Sequence, residues 1–447
     1  MESTERQREY VLRTVEERGV RMVRLWFTDV LGQLKSFAIS PAELENAFEE
    51  GMRFDGSSID GFSRIQESDM LAKPDPNSFE LLPWADHLGN SARMFCDIVN
   101  MDGTAFSGDP RQVLRRNLDR ARERGFSFYA APEMEFFYFD DSSPETEPRP
   151  LDQASYFDLT TADVATDLRQ RTIHTLEAMG IPVEYSHHED APSQHEIDLR
   201  YTDALTMADN VMTFRLVVKE VALEEGVHAT FMPKPLAGVQ GSGMHTHFSL
   251  FEGDTNAFYD PGDEINLSKV ARHFIAGLLR HAPEIAAVTN QWVNSYKRLV
   301  IGYEAPVYTA WASNNRSVIV NVPPIRRGNA DSARIEFRAP DPACNPYLAF
   351  SVILAAGLKG IEEGYDLPEQ TTVNLYQLTP EERMAERIDM VPQSLADALN
   401  VMERSELVAE ALGEHVFEWF IRNKRVEWMD YKAQVSQWEL DRYYNRL

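Results

Sequence analysis

The stretch FSFYAAPEMEFFYF, residues 126–139, places two carboxylates inside an apolar and aromatic run. It is too short for a lone amphipathic helix, and its aromatic content predicts a strand that enters the core. Successive side chains on a strand alternate faces, so Glu133 and Glu135 point to the same side, roughly 7 Å apart. At an effective dielectric constant of about 20, two such charges repel by about 2 to 2.5 kcal/mol. A positive charge is therefore expected between them, although a polar strand face that meets water or an arginine is the plain alternative.

Length and composition are those of an ordinary folded protein. The chain has 447 residues, enough for more than one domain, and 43% of them are hydrophobic. Its formal net charge of −27 argues against binding to nucleic acid and to anionic membranes. Only two cysteines occur, the N-terminus lacks the apolar stretch of a secretion signal, and no run is apolar enough to span a membrane. These features predict a cytoplasmic protein.

A cluster of turn-forming residues divides the chain. NMDGTAFSGDP, residues 100–110, concentrates such residues, and its Asp109–Pro110 pair predicts the start of a helix that ends near Gly125. We therefore expect an N-terminal domain over residues 1–105 and a larger domain over residues 106–447.

Local patterns predict the main elements of both parts. VRMVRLWFTDVLGQLKSFAI, residues 20–39, reads as two strands, and SPAELENAFEEG, residues 40–51, as a helix with a capping box. In the larger part, strands alternate with helices, and the chain from Pro392 onward is predicted to be mostly helical. The clearest of these segments are strands at 126–139 and 227–233 and helices at 203–225 and 268–289.

Further carboxylates and imidazoles occur in strand-like settings. VEYSHHEDAPSQHEIDLRY, residues 183–201, carries Glu189 and Glu196 on either side of an Ala-Pro-Ser turn, so the two acids can face each other across a hairpin. GSGMHTHFSL, residues 241–250, puts His245 and His247 on one face of a strand after a glycine-rich turn.

A third such segment is ARIEFRAPDP, residues 333–342, where Glu336 lies between Arg334 and Arg338 at the period of a strand. Each segment has a plain alternative, because a strand histidine is usually a satisfied core residue and Arg-Glu-Arg is often a surface ion pair. Five acids and a histidine in such settings are harder to explain together, and they indicate a functional site. Cations bound mainly by carboxylate oxygen would neutralise them, which points to Mg²⁺ or Mn²⁺.

Several long motifs, in fixed order along essentially the whole chain, resemble those of type I glutamine synthetases. They include RFDGSSIDGF at residues 53–62, ACNPYLAF at 343–350 and LGEHVFEWF at 412–420. The resemblance implies an α+β fold of the glutamine synthetase/guanido kinase type. In this fold a small N-terminal β-grasp domain precedes a large catalytic domain with a curved antiparallel sheet and helices. It also implies a dodecamer of two stacked hexameric rings, in which the RFDGSSI segment acts in the active site of the next subunit.

The resemblance carries site residues over position by position. It implies ATP as cofactor together with two or more Mg²⁺ or Mn²⁺ ions in each active site. One metal would be held by Glu135, Glu189 and Glu196, and the second by Glu133, His245 and Glu336.

The other carried-over residues fall into three groups. Glutamate is expected at Arg298, Arg338, Gly241 and Gln240, and the nucleotide at Glu184, Tyr201, His247, Ser249, Arg316 and Arg334. Asp55 is expected to bind ammonium and remove its proton, Tyr156 to help form that site, Glu304 to close it, and Arg316 to contact phosphate. Without the resemblance, Tyr156 would be read as a packed aromatic and Glu304 as an exposed loop acid.

Four positions depart from the usual pattern of the family. Asn321 stands where an arginine is usual, which puts phosphate handling in doubt, and Arg326 or Arg327 is a candidate to supply the missing charge. The other three departures are Gln240 for asparagine, Ile301 for proline and Ser193 for glycine. Arg64 matches the arginine of the feedback-inhibited α-type enzymes, so inhibition by glutamine is expected, with a solvated surface arginine as the alternative.

Three functions are compared on this basis. The first is ATP-dependent ligation of ammonium to the γ-carboxylate of L-glutamate through γ-glutamyl phosphate, which gives glutamine, ADP and phosphate. The second is a related glutamate–amine ligase that uses a polyamine or another organic amine. The third is a non-catalytic structural or regulatory relative, which fits poorly because all six expected metal ligands and Glu304 are present.

Overall fold

The computed structural model describes residues 2–59, 61, 69–84, 89–143, 147–159, 165–303, 305–313, 315–385 and 388–447. Its N-terminal part begins with helix α1 (Glu2–Glu17) and contains the short helix α2 (Leu44–Glu49). The strands of this part are β1 (Val20–Thr28), β2 (Leu34–Ile39), β3 (Met52–Asp55), β4 (Asp69–Pro74), β5 (Glu80–Leu81) and β6 (Asn90–Val99). They form a sheet in the order β2–β1–β6–β4–β3, with β5 beside β6 and only the β1–β6 pair parallel.

A larger sheet organises the rest of the chain. Its strands are β7 (Ser127–Phe139), β8 (Val183–His188), β9 (Gln194–Leu199), β10 (Thr202–Asp203), β11 (His228–Thr230), β12 (Thr246–Glu252), β13 (Thr255–Asn256), β14 (Trp311–Ser313), β15 (Val320–Val322) and β16 (Ile335–Phe337). The main order is β14–β15–β16–β12–β7–β9–β8, and every pair except β14–β15 is antiparallel. The long strand β7 lies in the middle, which confirms the strand predicted from the opening stretch.

Helices pack around this sheet. They are α3 (Pro110–Glu123), α4 (Thr166–Ala178), α5 (Ala204–Glu224), α6 (Lys269–Thr289), α7 (Ser295–Arg298), α8 (Pro346–Glu363), α9 (Pro380–Ala385), α10 (Leu395–Met402), α11 (Glu406–Leu412), α12 (Glu414–Lys432) and α13 (Gln437–Tyr443). As predicted, Asp109 caps α3: its side chain accepts a hydrogen bond from the Arg111 backbone N–H, and Gly125 follows the helix with φ +87°.

Two local predictions differ from the structure. Ser40 makes no capping hydrogen bond, because residues 41–43 form a 3₁₀ turn before α2 begins at Leu44. The strand predicted over residues 227–233 is shorter, since β11 covers only His228–Thr230. Pro233 cannot donate to a neighbouring strand, and its carbonyl instead accepts from the Ser242 N–H of the loop before β12.

Helices α6 and α8 pack closely at glycines. A Cβ on Gly277 of α6 would lie 2.2 Å from the carbonyl oxygen of Ala356 on α8, and one on Gly360 would lie 2.1 Å from that of His273. The two backbones therefore approach each other at a distance that no larger residue permits. This contact anchors the buried helices behind the sheet.

Buried charge joins the N-terminal sheet to the helices of the larger part. Arg111 on α3 is 3% exposed and forms ion pairs with Asp75, with Asp97 of β6 and with Asp209 of α5, at 2.9, 2.6 and 2.9 Å. Arg115 also reaches Asp75, at 2.6 Å. One guanidinium thus connects carboxylates from both parts of the chain.

Within the parts of the chain that the structure describes, no helix is both long enough and apolar enough to cross a membrane.

Candidate active site

The register of four strands brings acidic and imidazole side chains to one face of the large sheet. Glu135 on β7 pairs with Glu196 on β9, and His247 on β12 pairs with Glu336 on β16. Because β7 lies between β9 and β12, carboxylates from distant parts of the sequence become neighbours. Glu133 and Glu135 therefore lie on the same face of β7, as the alternation of side chains along a strand predicts.

Glu133, His245 and Glu336 form a first cluster. One potential ligand atom from each lies within 4.8 Å of those of the other two. His245 Nδ1 is 3.2 Å from Glu133 Oε2 and 3.9 Å from Glu336 Oε1. These are the three residues expected to share one metal.

Neighbouring side chains orient this first cluster. Asn321, the register partner of Glu336 on β15, donates from Nδ2 to Glu336 Oε2 at 2.7 Å, and Arg338 forms an ion pair with the same carboxylate. His247 Nδ1 accepts from Arg334 Nε at 3.2 Å, so its Nε2 carries the proton and donates to Glu133 Oε1 at 2.7 Å. Arg334 is thereby linked to the Glu133 carboxylate through the His247 imidazole.

His187, Glu189 and Glu196 form a second cluster, again with ligand atoms within 4.8 Å of one another. His187 Nε2 is 2.7 Å from Glu189 Oε1, and its Nδ1 is 3.7 Å from Glu196 Oε1. His187 was missed in the sequence analysis. Its spacing of two from Glu189 is the signal that would have placed both side chains on the same side of the hairpin.

Glu135, which was expected with Glu189 and Glu196, lies between the two clusters. Its Oε2 accepts hydrogen bonds of 3.0 Å from Gln194 Nε2 and from the Gly243 N–H, while its Oε1 is 3.9 Å from His245 Nδ1. Glu135 thus contacts the hairpin on one side and the His245 cluster on the other.

Burial and mutual repulsion perturb these carboxylates. Burial, reinforced by the charge of Glu189, raises the pKa of Glu135 to about 8. Burial and the neighbouring Asp198 raise the pKa of Glu196 well above its ordinary value, and burial together with Glu133 raises that of Asp198 to about 8. Asp198, the register partner of Glu133, is a further acidic group that the sequence analysis did not single out.

In contrast, the pKa values of Glu133 and Glu336 are lowered. Burial opposes ionisation of Glu133, but hydrogen bonds with His245 and His247 hold its pKa well below the ordinary range. Burial also opposes ionisation of Glu336, and the charge of Arg338 lowers its pKa nonetheless. The face therefore combines acids whose pKa is raised with acids whose pKa is lowered in one buried patch, an environment that a divalent cation would stabilise.

The donor set fits hard divalent cations. Carboxylate oxygens dominate both clusters, each with a single imidazole, and Mg²⁺ and Mn²⁺ prefer such ligands over sulfur. Both cysteines are buried and belong to neither cluster.

The residues expected to hold glutamate lie beside the first cluster. Arg298 is 3% exposed, donates to the carbonyl oxygens of Ala339 and Arg338 at 2.8 and 3.1 Å, and places its Nη2 3.5 Å from His245 Nε2. The Gly241 carbonyl accepts from Gln194 Nε2 at 3.1 Å. A Cβ on Gly241 would lie 2.4 Å from the Pro233 carbonyl oxygen, so only glycine fits there. Gln240 is half-buried in the same loop.

The residues expected to hold the nucleotide lie further along β7 and β12, towards the start of β7. Ser249 pairs with Tyr129 across these strands, and the ring of Tyr201 lies 6.1 Å from that of Tyr129. Tyr201 is 53% exposed, which leaves its ring accessible. Glu184 is exposed on β8, and its charge contributes to the raised pKa of Asp198.

Tyr156 and Arg316 are brought together. Their side chains are hydrogen-bonded, and the pKa of Tyr156 is raised chiefly by burial while this bond acts to lower it. Asp55 ends β3, is exposed, and accepts a hydrogen bond from the Ser57 N–H at 2.8 Å. Glu304 and Arg64 lie outside the described residues.

The departures from the family pattern have specific surroundings. Asn321 is buried, and its side-chain amide donates a hydrogen bond to the Glu336 carboxylate. Arg326 and Arg327, considered as substitutes for the missing cation, are both exposed. Ile301 is 42% exposed.

Comparison with known proteins matches this architecture. The family model "Glutamine synthetase, catalytic domain" matches residues 107–443, and "Glutamine synthetase, beta-Grasp domain" matches residues 19–101. The chain belongs to the glutamine synthetase family. The predicted resemblance and the fold class, a β-grasp domain followed by a large domain with a curved sheet, are confirmed.

Individual relatives cover nearly all of the chain. A glutamine synthetase of Mycolicibacterium smegmatis is 59% identical over 442 residues, which are 98% of this chain and 99% of that protein. One from Halobacterium salinarum is 51% identical over 98% of this chain and 96% of its own length. A solved structure described as "GmaS/ADP complex-Conformation 1" superposes with a TM-score of 0.88 at 32% identity, covering 97% of this chain and 99% of that one.

Proposed function

We propose that this chain joins ammonium to the γ-carboxylate of L-glutamate in an ATP-dependent reaction, giving glutamine, ADP and phosphate. The observation that carries the proposal is the pair of carboxylate–imidazole clusters on one sheet face, with Glu135 between them. Relatives at 47–59% identity over nearly the whole chain are named glutamine synthetase, which supports this reaction.

The reaction needs activation of a poor electrophile. A carboxylate does not expel its oxygen, so one γ-oxygen must first be converted into a leaving group. Transfer of the γ-phosphoryl of ATP to that oxygen forms γ-glutamyl phosphate and releases ADP. Attack by ammonia on the acyl carbon then forms the amide and expels phosphate, which carries away the former γ-oxygen.

The two clusters are the proposed metal sites. Glu133, His245 and Glu336 hold one cation, and Glu189 and Glu196 hold the other together with His187, with Glu135 beside both. Mg²⁺ or Mn²⁺ held by these residues would supply positive charge that stabilises the transferring phosphoryl group. Asn321 and Arg338 fix the direction of Glu336, which a flexible surface acid would lack.

In this proposal the nucleotide and glutamate bind at opposite ends of the same sheet face. Tyr201, Ser249 and Glu184 line the nucleotide side, and the His247–Arg334 pair connects it with Glu133. The related GmaS structure is described as an ADP complex, which supports a nucleotide site in this fold. Arg298, Arg338 and the loop with Gln240 and Gly241 bind glutamate on the other side.

Ammonium binds where Tyr156 and Arg316 meet. Tyr156 helps form this site, Arg316 stabilises phosphate, and Asp55 of the partner subunit binds ammonium and removes its proton. Glu304 closes the site over the intermediate and excludes water. This arrangement requires shared sites in a ring assembly, and a dodecamer of two hexameric rings, with domains over residues 1–105 and 106–447, is part of the proposal.

The two alternatives are weaker. A ligase that uses an organic amine is not favoured, because the relatives of highest identity given above are named glutamine synthetases. A non-catalytic relative would have no reason to bury so many acids on one face, since unpaired buried charge is destabilising.

Product analysis tests the proposal. Purified protein is incubated with ATP, glutamate, ammonium chloride labelled with ¹⁵N, and Mg²⁺, and products are identified by mass. We expect ADP and glutamine with the label in the amide, in equal amounts and only when all four components are present. ADP formation without labelled glutamine would contradict the proposal.

A further inference from the structure

The hairpin turn between β8 and β9 contains a buried serine in a conformation that favours glycine. Ser193 has φ +58° and is 0% exposed. A residue with a Cβ is disfavoured in this left-handed region, and Ser193 stands where the family usually has glycine. The surrounding structure must therefore hold Ser193 in place.

Asp152 supplies that restraint through two reciprocal hydrogen bonds. The Ser193 N–H donates to Asp152 Oδ1 at 2.9 Å, and the Asp152 N–H donates to Ser193 Oγ at 3.0 Å. The Ser193 carbonyl in turn accepts from the Tyr138 N–H of β7 at 3.1 Å. A glycine would adopt the same φ without strain, but it has no hydroxyl for the Asp152 N–H.

The same carboxylate reaches the other side of the hairpin. His188 at the end of β8 has Nε2 3.1 Å from Asp152 Oδ1 and Nδ1 2.6 Å from the carbonyl oxygen of Glu189. Asp152 Oδ1 therefore contacts the residue before Glu189 and the residue before Gln194. Both side chains of the Asp152–His188 pair are at most 1% exposed.

The turn held in this way positions Glu189, Glu196 and Glu135, three carboxylates of the proposed metal site. Glu189 donates from its N–H to the Gln194 carbonyl at 2.8 Å, and Glu196 lies two residues beyond Gln194. Gln194 Nε2 donates to Glu135 Oε2 at 3.0 Å and to the Gly241 carbonyl at 3.1 Å. A change of φ at Ser193 would rotate the chain at the point where these contacts begin.

We propose that Asp152 and Ser193 form a positioning pair that holds the β8–β9 turn and so presents Glu189 and Glu196 to a divalent cation. The inference rests on the proposed function only in its use of that metal site. Neither residue touches the cation. The hydrogen bond from the Asp152 N–H to the serine hydroxyl compensates for the strain of the positive φ, a strain that glycine would not have.

Two substitutions at one position separate the hydroxyl from the backbone effect. Ser193→Ala loses the hydroxyl and keeps the unfavourable φ, whereas Ser193→Gly loses the hydroxyl and relieves it. Mn²⁺ binding is measured directly, from the electron paramagnetic resonance signal of free Mn²⁺ without nucleotide or glutamate. We expect Ser193→Ala to weaken binding by at least about tenfold, within the range usual for residues that support metal ligands, and Ser193→Gly by at most about threefold.

A double-mutant cycle tests the role of Asp152. Asp152→Ala should weaken Mn²⁺ binding by at least about tenfold with serine at 193, and by clearly less with glycine at 193, because glycine needs no restraint. Equal effects of Asp152→Ala in both backgrounds would overturn the pairing. Equal Mn²⁺ affinity of Ser193→Ala and Ser193→Gly would overturn the compensation, and this comparison remains decisive if Asp152→Ala fails to fold.

Asn266 offers a matched control. It has φ +57° without being glycine, and it lies on the turn before α6. Asn266→Ala should leave Mn²⁺ affinity unchanged, and a loss equal to that of Ser193→Ala would contradict a local effect. The readout is Mn²⁺ binding, so this test is independent of glutamine formation. Equal effects of Asp152→Ala in both backgrounds would overturn the inference even if the protein makes glutamine. Unequal effects would support it even if the protein makes none.

Discussion

Glu135 and Glu196 stand directly opposite each other on the neighbouring antiparallel strands β7 and β9. Directly opposed like charges weaken a sheet, and both side chains are buried. The structure therefore places two acids where they lower stability unless a cation or a proton lies between them. Such a loss of stability at two opposed acids is consistent with the metal site proposed above.

The first prediction follows from this pair. Glu196→Gln removes one of the opposed charges, so it should raise the melting temperature of EDTA-treated protein at pH 8.5. It should also reduce the further stabilisation by Mn²⁺ without abolishing it, because the cluster of Glu133, His245 and Glu336 stays intact. Differential scanning calorimetry with and without Mn²⁺ measures both effects. Glu123→Gln, on the exposed surface of α3, is the control and should change neither. A lower melting temperature of the EDTA-treated Glu196→Gln protein would be inconsistent with repulsion between the acids.

The second prediction concerns the first cluster. Glu133→Ala and Glu336→Ala should each reduce glutamine formation to less than about a tenth at saturating Mg²⁺, because each removes a ligand and leaves the remaining groups unpaired. The rate of ADP release in steady-state assays is the measurement. Activity above that level in either variant would remove the residue from the proposed metal site.

The third prediction concerns the buried ion pairs of Arg111. Burial alone would raise the pKa of Asp75, but Arg111 and Arg115 outweigh burial and lower it from 3.8 to about 2. Asp75 therefore contributes stability that is present above about pH 4 and is lost as the pH falls through 2, roughly 2 kcal/mol in all. The free energy of unfolding of Asp75→Asn should fall below that of the unaltered protein at pH 6, and the difference should shrink towards pH 2.5. Parallel stability curves over this range would show that the pair with Arg111 contributes no such linkage.

Sequence reasoning could place the acids and the histidine of the candidate site on one sheet face because strand alternation and hairpin geometry are local. Five of the expected ligands lie in one of the two clusters, and their role in binding metal stays a prediction: Glu133, Glu189, Glu196, His245 and Glu336. The division of these acids between two metals stays a prediction. Register between strands adds groups that the local patterns did not single out: His187 and Asp198 enter the face through β8 and β9, and Glu135 lies between the clusters.

Other features depend on contacts that no local pattern contains. The hydrogen bond from Asn321 to Glu336, two residues that are 15 positions apart in the chain, follows from the pairing of β15 with β16. Asp152 and Ser193 are 41 residues apart, and the serine looked like a simple departure from glycine. The prediction that Ser40 caps a helix was wrong because Pro41 begins a 3₁₀ turn. The α and 3₁₀ conformations are similar, and the local sequence does not distinguish them. The cytoplasmic location and inhibition by glutamine through Arg64 stay predictions.

The fourth prediction concerns active sites shared between subunits. Asp55 belongs to the N-terminal sheet and Glu336 to the large sheet, so Asp55→Ala and Glu336→Ala damage different parts of the proposed shared site. When the two inactive variants are refolded together, mixed rings should contain some sites with both residues intact and recover activity. Each variant refolded alone is the control. Mixed rings no more active than either parent would show that Asp55 acts within its own subunit or not at all.

The identity of the nucleophile decides whether the chain makes glutamine or joins glutamate to an organic amine. Ammonium is small and cationic, so a carboxylate such as Asp55 and an enclosing loop suffice to bind it, whereas a longer amine needs an open channel. The measurement compares kcat/KM for ammonium, methylamine, ethanolamine, putrescine and spermidine at fixed ATP, glutamate and Mg²⁺, with products identified by mass. We predict the highest value for ammonium, with glutamine as its product. A value at least about tenfold higher for any organic amine, equivalent to about 1.4 kcal/mol of transition-state binding, would contradict the account.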